Sequence, residues 1–204
     1  MVREIRIYFE GHRRLRSGFH AFLQRVIEKA RGHNIRFRLV PGEGQVVRRF
    51  LAAVRSNGRA FSILLIDSEG PAPSDARDVV RHRGNWQPSR DVSQDEVHLM
   101  VQLMEAWFLA DRPALEAYYR QGFRPKRLPG DPTNVEAVPK DDVIEGLEAA
   151  TQDTQKGKYH KTRHAPDLLA AVDVAAVRQA APHCDRLFRA LERAITQENQ
   201  QSTE

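Results

Sequence analysis

The sequence predicts an α/β fold in which a mostly parallel sheet is flanked by helices and followed by a helical C-terminal extension. The first 70 residues alternate between short strand-like segments and longer helix-like segments. The third strand-like segment is apolar throughout, as expected for a central strand covered on both faces. Beyond about residue 100 helical patterns dominate. Strands that alternate with helices form parallel sheets with right-handed crossovers, so we expect a β-α-β-α-β unit at the N-terminus.

The hydrophobic periodicity defines the first five elements. In order, they are a strand over 4–10, a helix over 17–32, a strand over 35–40, a helix from Gln45 to Asn57-Gly58, and a strand over 61–66. Ser17 is placed to cap the first helix and Gly32 to end it.

The later elements begin with a helix, a loop and a strand, after which helices predominate. They are a helix over 74–83, a loop over 84–95, a fourth strand over 97–101, helix near 104–120 with Pro113 at a helix start, a proline-rich loop over 121–139, and helices over 140–151, 163–172 and 182–197. We therefore divide the chain into an α/β core, residues 1–111, and a helical extension, residues 112–204, that packs on the core.

Composition narrows the class of protein. The chain has 204 residues and 41% hydrophobic residues, which is enough to bury a core. No apolar run approaches the length of a membrane span, and the charged N-terminus is not typical of a signal peptide. Cys184 is the only cysteine, which excludes an internal disulfide and a cysteine-rich zinc site. These features predict a cytoplasmic protein with no membrane partner.

Positive charge is concentrated in the N-terminal part. Residues 1–60 hold 14 Lys and Arg against 4 Asp and Glu, a net charge of +10, whereas residues 61–204 hold 18 against 23, a net charge of −5. Such asymmetry favours a polyanionic partner such as nucleic acid. An arginine-rich surface with no such partner is the alternative.

Two of the predicted strands end in acidic residues. Glu10-Gly11 follows the first strand, and Asp67-Ser-Glu69-Gly70 follows the third. Because parallel strands end at the same edge of a sheet, neighbouring strands would bring the three carboxylates together. Their repulsion would be relieved by a hard divalent cation, Mg²⁺ or Mn²⁺. The glycines would allow tight turns, although polar strand ends followed by glycine also occur without any function.

Glu105 is a fourth candidate ligand. It follows the predicted fourth strand, and it would reach the same edge if that strand is parallel and next to the third. Otherwise it is an ordinary glutamate on a helix surface. Trp107 and Phe108, close behind it, are interpreted as core residues.

Two basic segments are candidates for contact with phosphates. One follows Glu10 directly and consists of Arg13, Arg14 and Arg16; the other consists of Lys156, Lys158, Lys161, Arg163 and His164. A lysine of the second segment could stabilise negative charge in a phosphoryl-transfer transition state, with Lys158 and Lys161 as candidates. The alternatives are simple charge balance for the first segment and a solvated loop for the second.

The acidic pattern resembles the TOPRIM fold, in which a first-strand Glu-Gly is followed by a third-strand Asp-x-Asp. Here Glu69 replaces the second aspartate of that pattern. Residues 100–111, 156–169 and 181–187 also resemble a family of uncharacterised TOPRIM-like proteins often encoded beside ABC-type or AAA ATPases in bacterial defence loci. The resemblance extends from Glu10 to about Leu187.

This resemblance implies a Mg²⁺-dependent nuclease that works with an ATPase partner in defence against phage. Glu10, Asp67, Glu69 and Glu105 would be metal ligands, and the basic segments would contact nucleic acid. Two alternatives remain: a non-catalytic adaptor that binds an ATPase or nucleic acid, and a nucleotidyl transferase of the primase kind. The chain has no GxxxxGK[ST] motif, so it is not itself a P-loop ATPase.

Overall fold

The computed structural model describes residues 2–56, 60–84 and 92–196. Within these residues there are four strands, β1 (Glu4–Phe9), β2 (Arg36–Pro41), β3 (Ala60–Asp67) and β4 (Val97–Met100). All are parallel and form one sheet in the order β2-β1-β3-β4. The predicted α/β fold with a parallel sheet is confirmed.

Four helices accompany the strands in the N-terminal part: α1 (Leu15–Phe22), α2 (Gln24–Gly32), α3 (Val46–Arg55) and α4 (Arg77–Gly84). The predicted helix over 17–32 is thus two helices separated at Leu23. Ser17 does not cap α1, because the helix begins at Leu15 and Ser17 lies inside it. The Ser17 hydroxyl donates a hydrogen bond to the carbonyl oxygen of Arg14. The predicted end at Gly32 is confirmed, whereas Asn57-Gly58 and most of the predicted loop over 84–95 lie outside the described residues.

Six further helices form the predicted C-terminal extension and its connection to the sheet. They are α5 (Ala106–Leu109), α6 (Arg112–Tyr119), α7 (Lys140–Thr151), α8 (Lys161–Ala171), α9 (Val174–Ala180) and α10 (Pro182–Thr196). Only α9 was not predicted. Asp111 caps α6 by accepting a hydrogen bond from the backbone N–H of Ala114, and Pro113 stands in the first turn.

Side chains alternate across the sheet, so each face has its own core. Ile5, Ile7 and Phe9 of β1 point to one face, where they pack with buried residues of α1, α2, α8 and α10. Tyr8 points to the other face and packs with α3 and with Val80 of α4. This two-sided cover explains why β3 is buried from Ser62 to Asp67. Trp107 and Phe108 are fully buried, as predicted.

Helix α8 of the C-terminal extension packs closely against α1. Gly18 makes this crossing possible, because a Cβ atom there would lie 2.5 Å from the carbonyl oxygen of Pro166 and 3.1 Å from the Cβ of Leu169. The contact brings the start of α8 beside the start of α1, at the edge of the sheet where the strands end. Among the described residues, no helix is both long and apolar enough to cross a membrane.

Candidate active site

The strand order places the predicted acids at one edge of the sheet. β1 pairs with β3, and β3 pairs with β4, so the segments that follow these three strands are adjacent. Both neighbour relations on which the sequence prediction depended are therefore present. The acids surround an opening of about 620 Å³ lined by Glu10, Asp67, Glu69 and Lys161.

Glu10 and Asp67 are in direct contact. The backbone N–H of Asp67 donates to Oε2 of Glu10 at 3.1 Å, and the backbone N–H of Glu10 donates to the carbonyl oxygen of Leu65 at 2.9 Å. Gly11 has a φ of 125°, which favours glycine, and turns the chain away from the strand. A Cβ atom at this position would lie 2.5 Å from Cδ1 of Leu15. The Glu10 carboxylate therefore lies beside the end of β3, the strand that pairs with β1.

Asp67 is a buried carboxyl group with an unusual protonation equilibrium. Its side chain is 8% exposed, and Oδ1 accepts a hydrogen bond of 2.9 Å from the backbone N–H of Met104. The pKa of Asp67 is raised to about 7, mainly by burial and also by the carboxylates of Glu105 and Glu10, against the opposing charge of Lys161. A pKa this far from its ordinary value is characteristic of functional carboxyl groups, although ion-pair networks also cause such shifts.

Glu69 occupies a strained turn. Its φ of 62° lies in the left-handed region, which a non-glycine residue adopts at a cost of about 1–3 kcal/mol. The turn is held by a hydrogen bond of 2.9 Å from the Glu69 N–H to the carbonyl oxygen of Gln102. The sequence predicted the tight turn at Gly70, but Glu69 is the residue with the left-handed φ. This conformation projects its carboxylate, which is 47% exposed, towards the opening.

Cations from three helices neutralise these carboxylates. Arg83 at the end of α4 donates to Oε2 of Glu10 at 2.7 Å and lies 3.7 Å from Glu69. Lys140 at the start of α7 bonds Glu69 at 2.7 Å, and this hydrogen bond lowers the pKa of the Glu69 carboxyl. Lys161 at the start of α8 approaches Asp67 at 3.7 Å.

Glu105 is fully buried beneath this edge. Its Oε1 accepts a hydrogen bond of 3.0 Å from the Tyr159 hydroxyl and lies 3.4 Å from Nζ of Lys161. Its Oε2 is buried and has no hydrogen-bond partner among the described residues. Burial lowers the pKa of Lys161, but Glu105 and Asp67 outweigh that effect and raise it overall, so the ammonium remains charged between the two acids.

The second basic segment divides into residues near the acids and residues away from them. Lys161 reaches them, whereas Lys158 pairs with Glu148 at 2.6 Å. Lys156 lies over the ring of Tyr118 at 4.3 Å.

His164 corrects the sequence prediction of a nucleic-acid contact. It is 3% exposed, and its Nδ1 lies 3.1 Å from the Tyr119 hydroxyl. Arg163 donates to its Nε2 at 3.0 Å. A ring held in this way is a core element and is not available to a ligand at the surface.

Mg²⁺ and Mn²⁺ prefer oxygen ligands, so the carboxylates at this edge are of the right chemical type to bind either ion. The unpartnered Oε2 of Glu105 adds a buried donor behind Asp67. As the side chains stand, no three His, Cys, Asp or Glu groups in the described part of the chain converge closely enough to hold an ion. Glu10 is paired with Arg83 and Glu69 with Lys140, so an ion at this edge would compete with these two cations.

Comparison with known proteins places the chain in one family. The sequence model of a domain of unknown function, DUF4276, matches residues 12–192, which is most of the chain. The chain belongs to the DUF4276 family. Neither the curated proteins nor the solved structures include a match. The DUF4276 match includes Asp67, Glu69, Glu105 and Lys161, begins two residues after Glu10, and continues across the predicted boundary at residue 111.

Four residues within the DUF4276 region contribute to the site but were not predicted from the sequence: Glu43, Arg83, Tyr159 and Lys140. Glu43 follows β2 and lines the same opening, so the rule that acids at strand ends converge could have identified it. The other three come from helices or from loops between helices, and no local pattern distinguishes them from ordinary surface or core residues.

Proposed function

We propose that the protein is a metal-dependent phosphodiesterase that cleaves DNA or RNA. The observation that supports this function best is the contact between Glu10 and Asp67 at the ends of adjacent parallel strands, with Glu69 lining the same opening. The family comparison does not indicate any activity. The proposal depends on the chemistry of the acids, the nearby lysine and the resemblance of the sequence pattern to TOPRIM nucleases.

In the proposed reaction, Glu10, Asp67 and Glu69 would hold Mg²⁺ or Mn²⁺, with Glu105 as a further carboxylate of the site. When bound, such an ion polarises the scissile phosphate and lowers the pKa of an attacking water. Lys161 lies between Asp67 and Glu105, where its charge would stabilise the additional negative charge that develops on the phosphate. Arg83 and Lys140 would release the carboxylates when the ion binds and would then be free to contact phosphate oxygens.

We further propose a cytoplasmic setting and an ABC or AAA ATPase as partner in defence against phage. These proposals depend only on the resemblance of residues 100–111, 156–169 and 181–187 to the TOPRIM-like family described above. An ATPase encoded beside this protein would support them, and its absence from the neighbourhood of several family members would count against them.

The nuclease proposal is tested with purified protein, plasmid DNA, single-stranded DNA and RNA, in Mg²⁺, Mn²⁺ or EDTA. We expect cleavage that requires the metal and falls about 100-fold or more in Glu10→Gln and Asp67→Asn, since losing even an outer-shell partner of a metal ligand costs 10–100-fold. Glu28→Gln is the matched control, because Glu28 lies on the exposed surface of α2 and, among the described residues, bonds only Gln24. Cleavage that survives both site substitutions would refute the proposal.

A non-catalytic adaptor is the second candidate. The ion pairs of Glu10 with Arg83 and of Glu69 with Lys140 favour it, because internal cations already neutralise these acids without any metal. An adaptor would bind nucleic acid or an ATPase equally well in EDTA and in Mg²⁺, would cleave nothing, and would keep its binding in Asp67→Asn.

A further inference from the structure

The surface beside the acidic opening carries a cluster of arginines without ion pairs. Arg13, Arg14 and Arg16 stand at the start of α1, and all three are exposed. In the described part of the chain, no carboxylate pairs with any of their guanidinium groups. Elsewhere several arginines are paired with acids, among them Arg38 with Glu4, Arg124 with Asp153 and Arg193 with Asp95. Closely spaced, exposed arginines that no described carboxylate neutralises create a local positive field that attracts anions.

These arginines line a groove between α1 and α8. The groove has a volume of about 640 Å³, and the start of α8 contributes Thr162 and Arg163 to its other wall. Ser17 and His20 add polar groups, and Asp167, which accepts a hydrogen bond of 3.1 Å from the Tyr118 hydroxyl, is the acid among the lining residues. Neither helix has an acidic residue in its first turn, so the positive ends of both helix dipoles add to the arginine charge.

The groove leads to the acidic opening. Arg13 lines both, and Lys161, which lies between Asp67 and Glu105, immediately precedes the groove residue Thr162. The close crossing of α1 and α8 at Gly18 keeps the two walls together. A chain of phosphates in the groove would therefore continue towards the carboxylates.

We propose that this groove binds the phosphodiester backbone of a polynucleotide on one side of the bond to be cleaved. The position of the scissile bond relative to the groove rests on the proposed function. The groove itself indicates a polymeric substrate rather than a mononucleotide or a small phosphate ester. The lining is mostly cationic and contains no Phe, Tyr or Trp, so we expect binding to be mainly through phosphates, with little dependence on base sequence.

Binding is measured in EDTA, where no cleavage occurs, by fluorescence anisotropy with labelled 20-nucleotide single-stranded DNA, single-stranded RNA and duplex DNA. The double variant R14Q/R16Q removes two of the unpaired arginines without touching the carboxylates. The matched control, R48Q/R55Q, removes the same charge from α3, which packs on the opposite face of the sheet and does not line the groove.

Each phosphate contact contributes about 0.9 to the slope of log Kd against log salt concentration for duplex DNA and about 0.7 for single strands. Loss of two contacts to duplex DNA reduces the slope by about 1.8, so the wild type should lose about 12-fold more affinity than R14Q/R16Q between 50 and 200 mM salt. The control should keep the wild-type slope. The Kd values of the three probes at one salt concentration show which backbone, DNA or RNA, the groove prefers.

Three results would overturn the inference: no binding of any of the three probes, equal slopes for R14Q/R16Q and R48Q/R55Q, or displacement of the 20-mer by AMP or polyglutamate as efficiently as by unlabelled 20-mer. The last would show a mononucleotide or an acidic protein as the ligand. Failure of the proposed function is a separate result, since it would appear as an absence of metal-dependent cleavage while the slope difference in EDTA persists.

Discussion

Replacing Asp67 by asparagine should stabilise the metal-free protein at neutral and alkaline pH relative to acidic pH. Burial raises the pKa of Asp67 to about 7, about three pH units above its ordinary value of 3.8. A difference of one unit between the folded and unfolded states corresponds to about 1.4 kcal/mol, so the ionised carboxylate costs the folded protein up to about 4 kcal/mol. The expected gain is therefore about 2–4 kcal/mol.

The sign follows from the direction of the pKa change. Below about pH 4, Asp67 is protonated in both states and contributes no pH-dependent term. As the pH rises towards 7, the unfolded state loses its proton first, and the free energy of unfolding of the wild type falls. Asparagine does not titrate, and its Oδ1 can still accept the hydrogen bond from the Met104 N–H. The advantage of Asp67→Asn over the wild type should therefore grow between about pH 4 and pH 7 and then level off.

The assay is urea unfolding in EDTA, followed by tryptophan fluorescence, at pH values from 4.5 to 8. Comparing the two proteins at each pH removes the contribution of other titrating groups. Glu69→Gln is the contrasting control. The Lys140 hydrogen bond lowers the pKa of Glu69, so its charge stabilises the folded protein fully above the ordinary pKa of 4.5, and the difference between this variant and the wild type should be nearly constant from about pH 5.5 to 8. A difference between Asp67→Asn and the wild type that is flat from pH 4.5 to 8 would refute the reasoning.

Two further predictions concern the cations and the helix crossing. Arg83→Gln should raise the affinity for Mn²⁺, measured by calorimetry without nucleic acid, by up to about fivefold, because a partly exposed ion pair that competes with the metal contributes up to about 1 kcal/mol. Arg81→Gln is the control, because Arg81 lies on the same helix and pairs with Asp78; it should leave the Mn²⁺ affinity within about twofold of the wild type. Equal Mn²⁺ affinities for the two variants would contradict the idea that Arg83 competes with the metal for Glu10. Gly18→Ala should lower the free energy of unfolding by about 1–3 kcal/mol in urea unfolding, because its Cβ would lie 2.5 Å from a backbone carbonyl oxygen of α8. Gly32→Ala, where a Cβ meets nothing within 4 Å, should be neutral or slightly stabilising, and equal effects at both glycines would show that the close crossing is not required.

The strands, and the sheet edge that carries the acids, can be predicted from the amino-acid sequence alone. A strand repeats every two residues and a helix every 3.6, so Ile5, Ile7 and Phe9 or the uniformly apolar β3 can be identified without any knowledge of their neighbours. Because parallel strands end at one edge, the segments after β1 and β3 lie at the same edge of the sheet, and the pairing of β1 with β3 makes them neighbours. The contact of Glu10 with Asp67 is therefore a consequence of local pattern and topology.

The identity of the charges that meet at that edge cannot be predicted in the same way, because it depends on tertiary packing. Arg83, Lys140 and Lys161 come from three helices separated by long stretches of chain, and their pairing with the acids depends on how those helices pack. The raised pKa of Asp67 likewise depends on burial, which is a property of all the atoms around the carboxyl group. His164 shows the same limit, since its segment is basic and polar in sequence yet the packing of α8 turns its ring inward. Local periodicity determines secondary structure, whereas the partner and the dielectric environment of a charge are set by residues distant in sequence.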